Sequence, residues 1–179
     1  IDGLKKLIKE KHIDGAFCGP SEFNIINTMN ICEASGLPFY ATREQWNICS
    51  NKASFKKLCR KFDVPAVPEY QLTEECLPED LDKIKYPVIV KPVDGRSSIG
   101  VSVCRNEEEV KAAIPLALKN SRSRKFIVEK FITSDHGFGC RYIANDGEIY
   151  LSAVNDRYTV DTNGGKAMIS NVAIYPSKK

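Results

Sequence analysis

Several features that would narrow the function of this 179-residue chain are absent from it. Its seven cysteines (18, 32, 49, 59, 76, 104 and 140) include no C-x-x-C pair, which removes the zinc knuckle and the thioredoxin-type motif. They are odd in number and widely spaced, and several sit in apolar runs where a thiol acts as a small hydrophobe, so a reducing, cytoplasmic setting is expected. No apolar run approaches the length needed to cross a bilayer, and no segment reads as a secretory signal. No G-x-G-x-x-G follows a strand, which argues against a dinucleotide-binding domain. Strong charge is missing too. The net charge is +3 and the basic residues are scattered through helical segments, so no nucleic-acid partner is expected. What remains is 42% hydrophobic and 27% charged, enough to bury a core.

The most informative stretch is "YPVIVKPVDGRSSIGVSVC", residues 86–104. Val88, Ile89 and Val90 form a β-branched run, and Ile99, Val101 and Val103 alternate with small residues, so two strands are expected. The connection between them is longer than a tight hairpin turn and holds Gly95, Ser97, Ser98 and Gly100, with Lys91 at its base. Glycines let backbone N–H groups converge and serines add donors, a combination that suits an anion. The order strand, lysine, loop, strand is neither a Walker A loop nor a kinase glycine loop. By itself the stretch also suits a plain solvated turn.

Residues 1–48 read as α/β. Leu4, Leu7 and Ile8 mark a helix, 13–19 a short strand, and Pro20-Ser21 the start of a helix that Gly36 stops; 37–41 reads as the next strand. That order implies a parallel pair. Residues 50–63 form a helix capped by Ser50 or Asn51, with Phe55, Leu58, Cys59 and Phe62 on one stripe. Lys52 sits in its first turn, the positive end of the helix dipole, which suits either an anionic ligand or water. Residues 64–70 are extended, and 71–85 a short helix and linker. A helix over 106–120 has Asn106 as cap, Glu107, Glu108 and Glu109 at its start, and Val110, Ala113, Ile114, Ala117 and Leu118 on its buried face; Pro115 should kink it or shift its start. A strand at 125–132 and a hairpin over 139–159, turned by Asp146-Gly147 in a type I′ turn, complete a mostly antiparallel α+β pattern. A glycine-containing loop (160–168) and a further strand, "ISNVAIYP", follow.

Four of these motifs stand in one order: "SNKASFKKLCRKFDVPAVP" with Lys52, "YPVIVKPVDGRSSIGVSVC" with Lys91, "FIVEKFI" with Glu129, and the Asp146-Gly147 hairpin. Together they resemble the ATP-grasp superfamily, most of all its carbamoyl-phosphate synthase, biotin carboxylase and carboxylate–amine ligase branch. The resemblance covers nearly the whole chain. It implies an α/β (α+β) fold: the end of a Rossmann-like pre-ATP-grasp domain (1–48), the first-lysine helix and linker (49–85), a separable lid with a mostly antiparallel sheet (86–158), and the start of the second ATP-grasp half (159–179).

The same resemblance assigns roles. Lys52 and Lys91 would meet the phosphates of ATP from different subdomains. The loop 94–100 would close over them through its backbone, Gly95, Ile99 and Gly100 included, and through Ser97 and Ser98. Glu129 would accept from the adenine amino group or a nearby donor, and the main chain of Lys130 and Ile132 would read the adenine edge. By position His136, or else Asp135, would meet the ribose; Gly139 and Cys140 stand where a second acid is common. The family's Mg²⁺ ligands, an acid and a Glu-x-Asn, have no counterpart in 160–179, so no metal ligand or catalytic residue is named here. The chain, which opens without methionine and closes at "YPSKK", is expected to be a fragment with the adenine and lysine side of the site, inactive alone. The implied activity of the whole is an ATP-dependent ligase, carbamoyl-phosphate synthase-like, that joins a small-molecule carboxylate to an amine or related acceptor. The alternative is a nucleotide-binding or regulatory module without turnover.

Overall fold

The computed structural model describes residues 1–19, 21–95, 98–133, 137–160 and 169–178, and only the backbone of residues 159, 160 and 169–171. The chain divides into two units, Ile1–Phe62 and Asp63–Lys179.

The first unit is helical among its described residues: α1 (Asp2–Glu10), α2 (Glu22–Ser35), α3 (Arg43–Ser50) and α4 (Lys52–Lys61). Ser21 precedes α2, and Gly36 ends it in the left-handed conformation with φ +67°, as its position anticipates. The expected strands at 13–19 and 37–41 do not form. A strand exists only through ladder bonds to a neighbour, and neither segment has one; they meet instead through the Cys18 thiol and the Tyr40 hydroxyl, 3.7 Å apart. Helix α3 had not been expected. It starts with a reciprocal cap, in which Thr42 Oγ1 accepts from the Gln45 N–H at 3.2 Å and Gln45 Oε1 accepts from the Thr42 N–H at 2.8 Å. Asn51, not Ser50, caps α4 by accepting from the Ser54 N–H at 3.0 Å. The buried side of α4 holds Lys56 and Cys59, whereas Phe55 and Phe62 are exposed. Apolar spacing had named the neighbouring stripe, because hydrophobicity marks a face but not the element that will cover it.

The second unit contains two antiparallel sheets. The first has the order β1-β4-β2-β3, built from Glu69–Tyr70, Phe126–Lys130, Val88–Pro92 and Ser102–Cys104 respectively. A short helix α5 (Pro78–Leu81) and helix α6 (Glu107–Lys119) complete this part. Asn106 caps α6 by accepting from the Glu109 N–H at 2.9 Å, and Pro115 lies inside the helix without moving its start. All five residues expected on the buried face of α6 are buried. They pack on Val88, Val90, Cys104 and Val128, every second residue of the strands, to make one core with Cys76, Leu81 and Ile84.

The second sheet has the order β5-β6-β7: Gly137–Asn145, Glu148–Val160 and Ile169–Ile174. Asp146 (φ +50°) and Gly147 (φ +82°) join β5 to β6, the two positive φ values that a type I′ turn requires. The first sheet begins with Glu69, inside the segment read as linker, and ends at Lys130, while the 137–160 hairpin pairs with β7. A two-residue strand is too short to show a period, and the pattern of a hairpin does not say which sheet it joins.

Candidate functional site

Alternation along β2 decides where Lys91 goes. Val88 and Val90 face α6, so Ile89 and Lys91 face the opposite side of the sheet. Pairing with β4 sets Ile89 against Glu129 and Lys91 against Ile127, which makes Lys91 and Glu129 diagonal neighbours on that side. Their side chains form an ion pair, with Lys91 Nζ against Glu129 Oε2. The Lys91 side chain is 20% exposed and that of Glu129 only 6%, so the pair is held with little solvent around it. Across β1, Glu69 stands directly opposite Glu129. Two carboxylates and a lysine thus share one small area, where like charges repel and a further cation or donor is favoured. Gln71 Nε2 donates to Glu69 Oε1 at 3.4 Å.

Lys130 belongs to the other face. Its ammonium donates to the carbonyls of Lys85 and Tyr86, at 3.0 Å each, which ties the end of β4 to the segment entering β2. Its backbone N–H donates to the Pro68 carbonyl at 2.9 Å, so of its main-chain groups only the carbonyl is compatible with the expected adenine contact. Ile132 lies past the end of β4 and is exposed; among the described residues its N–H meets no acceptor.

Of the connection from β2 to β3, residues 93–95 and 98–101 are among the described residues. The strand expected from Ile99 onward is confined to Ser102–Cys104. Ser98 (φ +56°) and Gly100 (φ +74°) break the extended run before it, and Ile99 between them is exposed. Gly100 passes so close to the end of α6 that a Cβ there would sit 2.7 Å from Asn120 Cβ. Gly95 lies against Pro92, whose Cγ would be 2.3 Å from an added Cβ. Ser97 and His136, with Asp135, lie outside the described residues.

Asp94, at the near root of this connection, had been given no role. Its Oδ1 accepts from the Ser121 hydroxyl at 2.7 Å and the Arg122 N–H at 3.1 Å, and its Oδ2 accepts from the Ser123 N–H at 2.9 Å. Burial alone would push its carboxyl up, but donation from Ser121, Ser123 and Arg122 outweighs burial and holds it below the usual carboxylate range. The only local hint was an Asp-Gly immediately after a strand.

Lys52 is the first residue of α4 and half-buried. It belongs to the first unit and Lys91 to the second. A groove of about 450 Å³ beside α6, lined by Glu74, Lys111, Ile114, Pro115, Leu118, Lys119 and Arg124, shares no residue with the Lys91–Glu129 area. Among the described residues no group of three or more His, Cys, Asp or Glu could hold a metal ion, and no helix is long and apolar enough to cross a membrane. All seven cysteines are free.

The family described as "D-ala D-ala ligase C-terminus" matches residues 58–161. Among curated proteins, a D-alanine–D-alanine ligase from Borreliella burgdorferi (strain ZS7) is 33% identical over 142 residues, covering 74% of this chain and 36% of that one. The chain thus spans about a third of the length of that relative. Among solved structures, an L-amino acid ligase from Bacillus licheniformis aligns with 99% of this chain and 40% of its own at a TM-score of 0.74 and 20% identity. The biotin carboxylase domain of the 2-oxoglutarate carboxylase from Hydrogenobacter thermophilus, solved with MgADP and bicarbonate, aligns with 87% of this chain and 36% of its own at a TM-score of 0.71 and 23% identity. These structures share the fold. The chain belongs to the D-ala D-ala ligase C-terminus family and has an ATP-grasp fold.

Proposed function

We propose that this chain supplies the nucleotide-binding part of an ATP-dependent ligase that activates a carboxylate as an acyl phosphate for attack by an amine. The observation that carries this reading is the Lys91–Glu129 pair, set with little solvent on the sheet face away from α6 and three residues upstream of a glycine- and serine-containing connection. A cation in such a place strengthens any contact with a phosphate, because little water competes for either charge. Glu129 keeps the ammonium on this face until a phosphate takes its place, and its carboxylate then suits a ligand amino group such as that of adenine. The Ile132 N–H and the Lys130 carbonyl suit the remaining hydrogen-bonding positions of that base.

In the proposed reaction a carboxylate oxygen attacks the γ-phosphorus of ATP, the bond to the β–γ bridging oxygen breaks, and ADP leaves. The amine nitrogen then attacks the acyl carbon, inorganic phosphate leaves, and the nitrogen loses a proton. Lys91 contributes positive charge that offsets what builds up on the phosphoryl oxygens. Mg²⁺ would normally accompany such chemistry. The described residues offer no group of three or more His, Cys, Asp or Glu for it, and no role of theirs runs through the ion. The names of the relatives support an amino acid or similar small carboxylate and an amine acceptor. A carbamoyl-phosphate synthase-like specificity has no support among them.

The test is carboxylate-dependent ADP release by the full-length gene product, with hydroxylamine added to trap the acyl phosphate as a hydroxamate. Hydroxamate should form with one class of small carboxylate, and Lys91→Ala should abolish it. Nucleotide binding with no carboxylate-dependent ADP release would instead identify a regulatory module.

A further inference from the structure

A carboxylate has the wrong sign for a loop that is to hold phosphates, yet Asp94 begins the connection between β2 and β3. In the structure the Asp94 carboxylate is spent on the turn after α6 and not on a ligand. Its two oxygens take the Ser121 hydroxyl, the Arg122 N–H and the Ser123 N–H. The receiving turn is itself closed onto the sheet, since Ser121 Oγ accepts from the Lys125 N–H at 3.1 Å and the Val93 N–H donates to the Lys125 carbonyl at 3.2 Å. The far root rests on the same turn, where Gly100 packs against Asn120 too closely for any side chain. Both roots of the 94–100 connection therefore lie against residues 120–123, and the near root, Asp94, is three residues along the chain from Lys91.

We propose that Asp94 is a positioning residue for the phosphate side of the nucleotide site: its carboxylate fixes where the chain leaves β2, and so where Lys91, three residues before it, stands. This rests on the nucleotide reading above. A carboxylate suits the task better than an amide, because it accepts from three donors at once and each bond is charge-assisted. Asn at this position keeps the shape but replaces one accepting oxygen with a donor that faces the Ser123 N–H or the Ser121 side.

The experiment is calorimetric titration of the full-length protein with ATP and, separately, with adenosine, for wild type, Asp94→Asn, Ser121→Ala and Lys91→Met. Asp94→Asn should weaken ATP by about tenfold or more, the size of a lost charge-assisted hydrogen bond, and leave adenosine affinity within about twofold. Lys91→Met should show the same selectivity. Ser121→Ala should follow in the same direction with a smaller loss, and the double variant Asp94→Asn/Ser121→Ala should lose less than the sum of the two, since both act on one hydrogen-bonded network. If Asp94→Asn does not fold, the ATP-selective loss in Ser121→Ala takes its place in the test. Wild-type ATP affinity in both variants, or equal losses of ATP and adenosine, would overturn the inference while leaving the nucleotide reading intact. Failure of wild type to bind either ligand would overturn the nucleotide reading itself, and this inference with it.

Discussion

The second unit contains the same dipeptide at two hairpin positions, with opposite outcomes. Asp146-Gly147 joins β5 to β6 as a two-residue turn with both φ values positive, and nothing lies within 4 Å of where a Gly147 Cβ would be. Asp94-Gly95 follows β2 without closing a two-residue hairpin. Asp94 is instead bonded to residues 27 to 29 positions later, and Gly95 is pressed against Pro92. The first Asp-Gly is a local device, complete within four residues. The second works only because α6 returns the chain to β2. Propensity is therefore enough to place a turn where the flanking strands pair directly, and not enough where a third element stands close by.

Substitutions that treat the two sites alike separate them. The largest difference is expected for Asp94→Ala against Asp146→Ala. The first leaves three donors of the 121–123 turn without their acceptor and should cost about 3 kcal/mol, whereas the second costs about 1 kcal/mol through its left-handed φ. Urea melts monitored by a probe in the second unit would measure both, and equal costs would show that Asp94 is only another turn residue. Next is Gly100→Ala against Gly147→Ala. Both place a Cβ at positive φ, at about 1–2 kcal/mol, but only the first drives it into Asn120, so Gly100→Ala should be worse by about a further 1 kcal/mol or more.

The acid limb gives a smaller effect with a definite sign. The carboxyl of Asp94 is held below its ordinary range in the folded state. Its contribution is thus fully present above the ordinary unfolded carboxylate range and is lost as pH falls through the lowered folded value. The stability difference between wild type and Asp94→Asn should be constant near neutrality and shrink in strong acid, as read from melts between about pH 2 and pH 7. A difference that grows in acid would mean the carboxyl is protonated in the folded state. The smallest change is Ser121→Ala, about 1 kcal/mol, since Arg122 and Ser123 still donate to Asp94.

The nucleotide-facing residues divide in the same way. Lys91 stood out in the sequence because a cation ended an apolar strand, and Glu129 because an acid interrupted "FIVEKFI". That the two lie diagonally across β2 and β4 follows from register, which spacing along the chain does not contain. Glu69 was invisible as a member of this group, because its two-residue strand carries no period and acquires meaning only beside Glu129. Which main-chain group of Lys130 is open to a ligand was not legible either, since only the tertiary pairing gives its N–H to the Pro68 carbonyl. In the first unit the stop at Gly36 was legible and the α4 cap was narrowed to Ser50 or Asn51, while the strands expected at 13–19 and 37–41 were not realised, for want of a ladder partner.

Short-range chemistry alone settled the cap of α6, that of α4 to within one residue, the buried face of α6, the Asp146-Gly147 turn, and the presence of a lysine before a glycine- and serine-containing connection. Each depends on interactions between residues a few positions apart, and these are the same in any context. Tertiary structure decided the rest: that Lys91 is matched to Glu129, that Glu69 joins them, that β5 and β6 leave the first sheet for β7, and that Asp94 serves the turn after α6 rather than an anion. These depend on which strand edges pair and which helix covers which face, and that choice is made by burial summed over the whole core, not by any one segment.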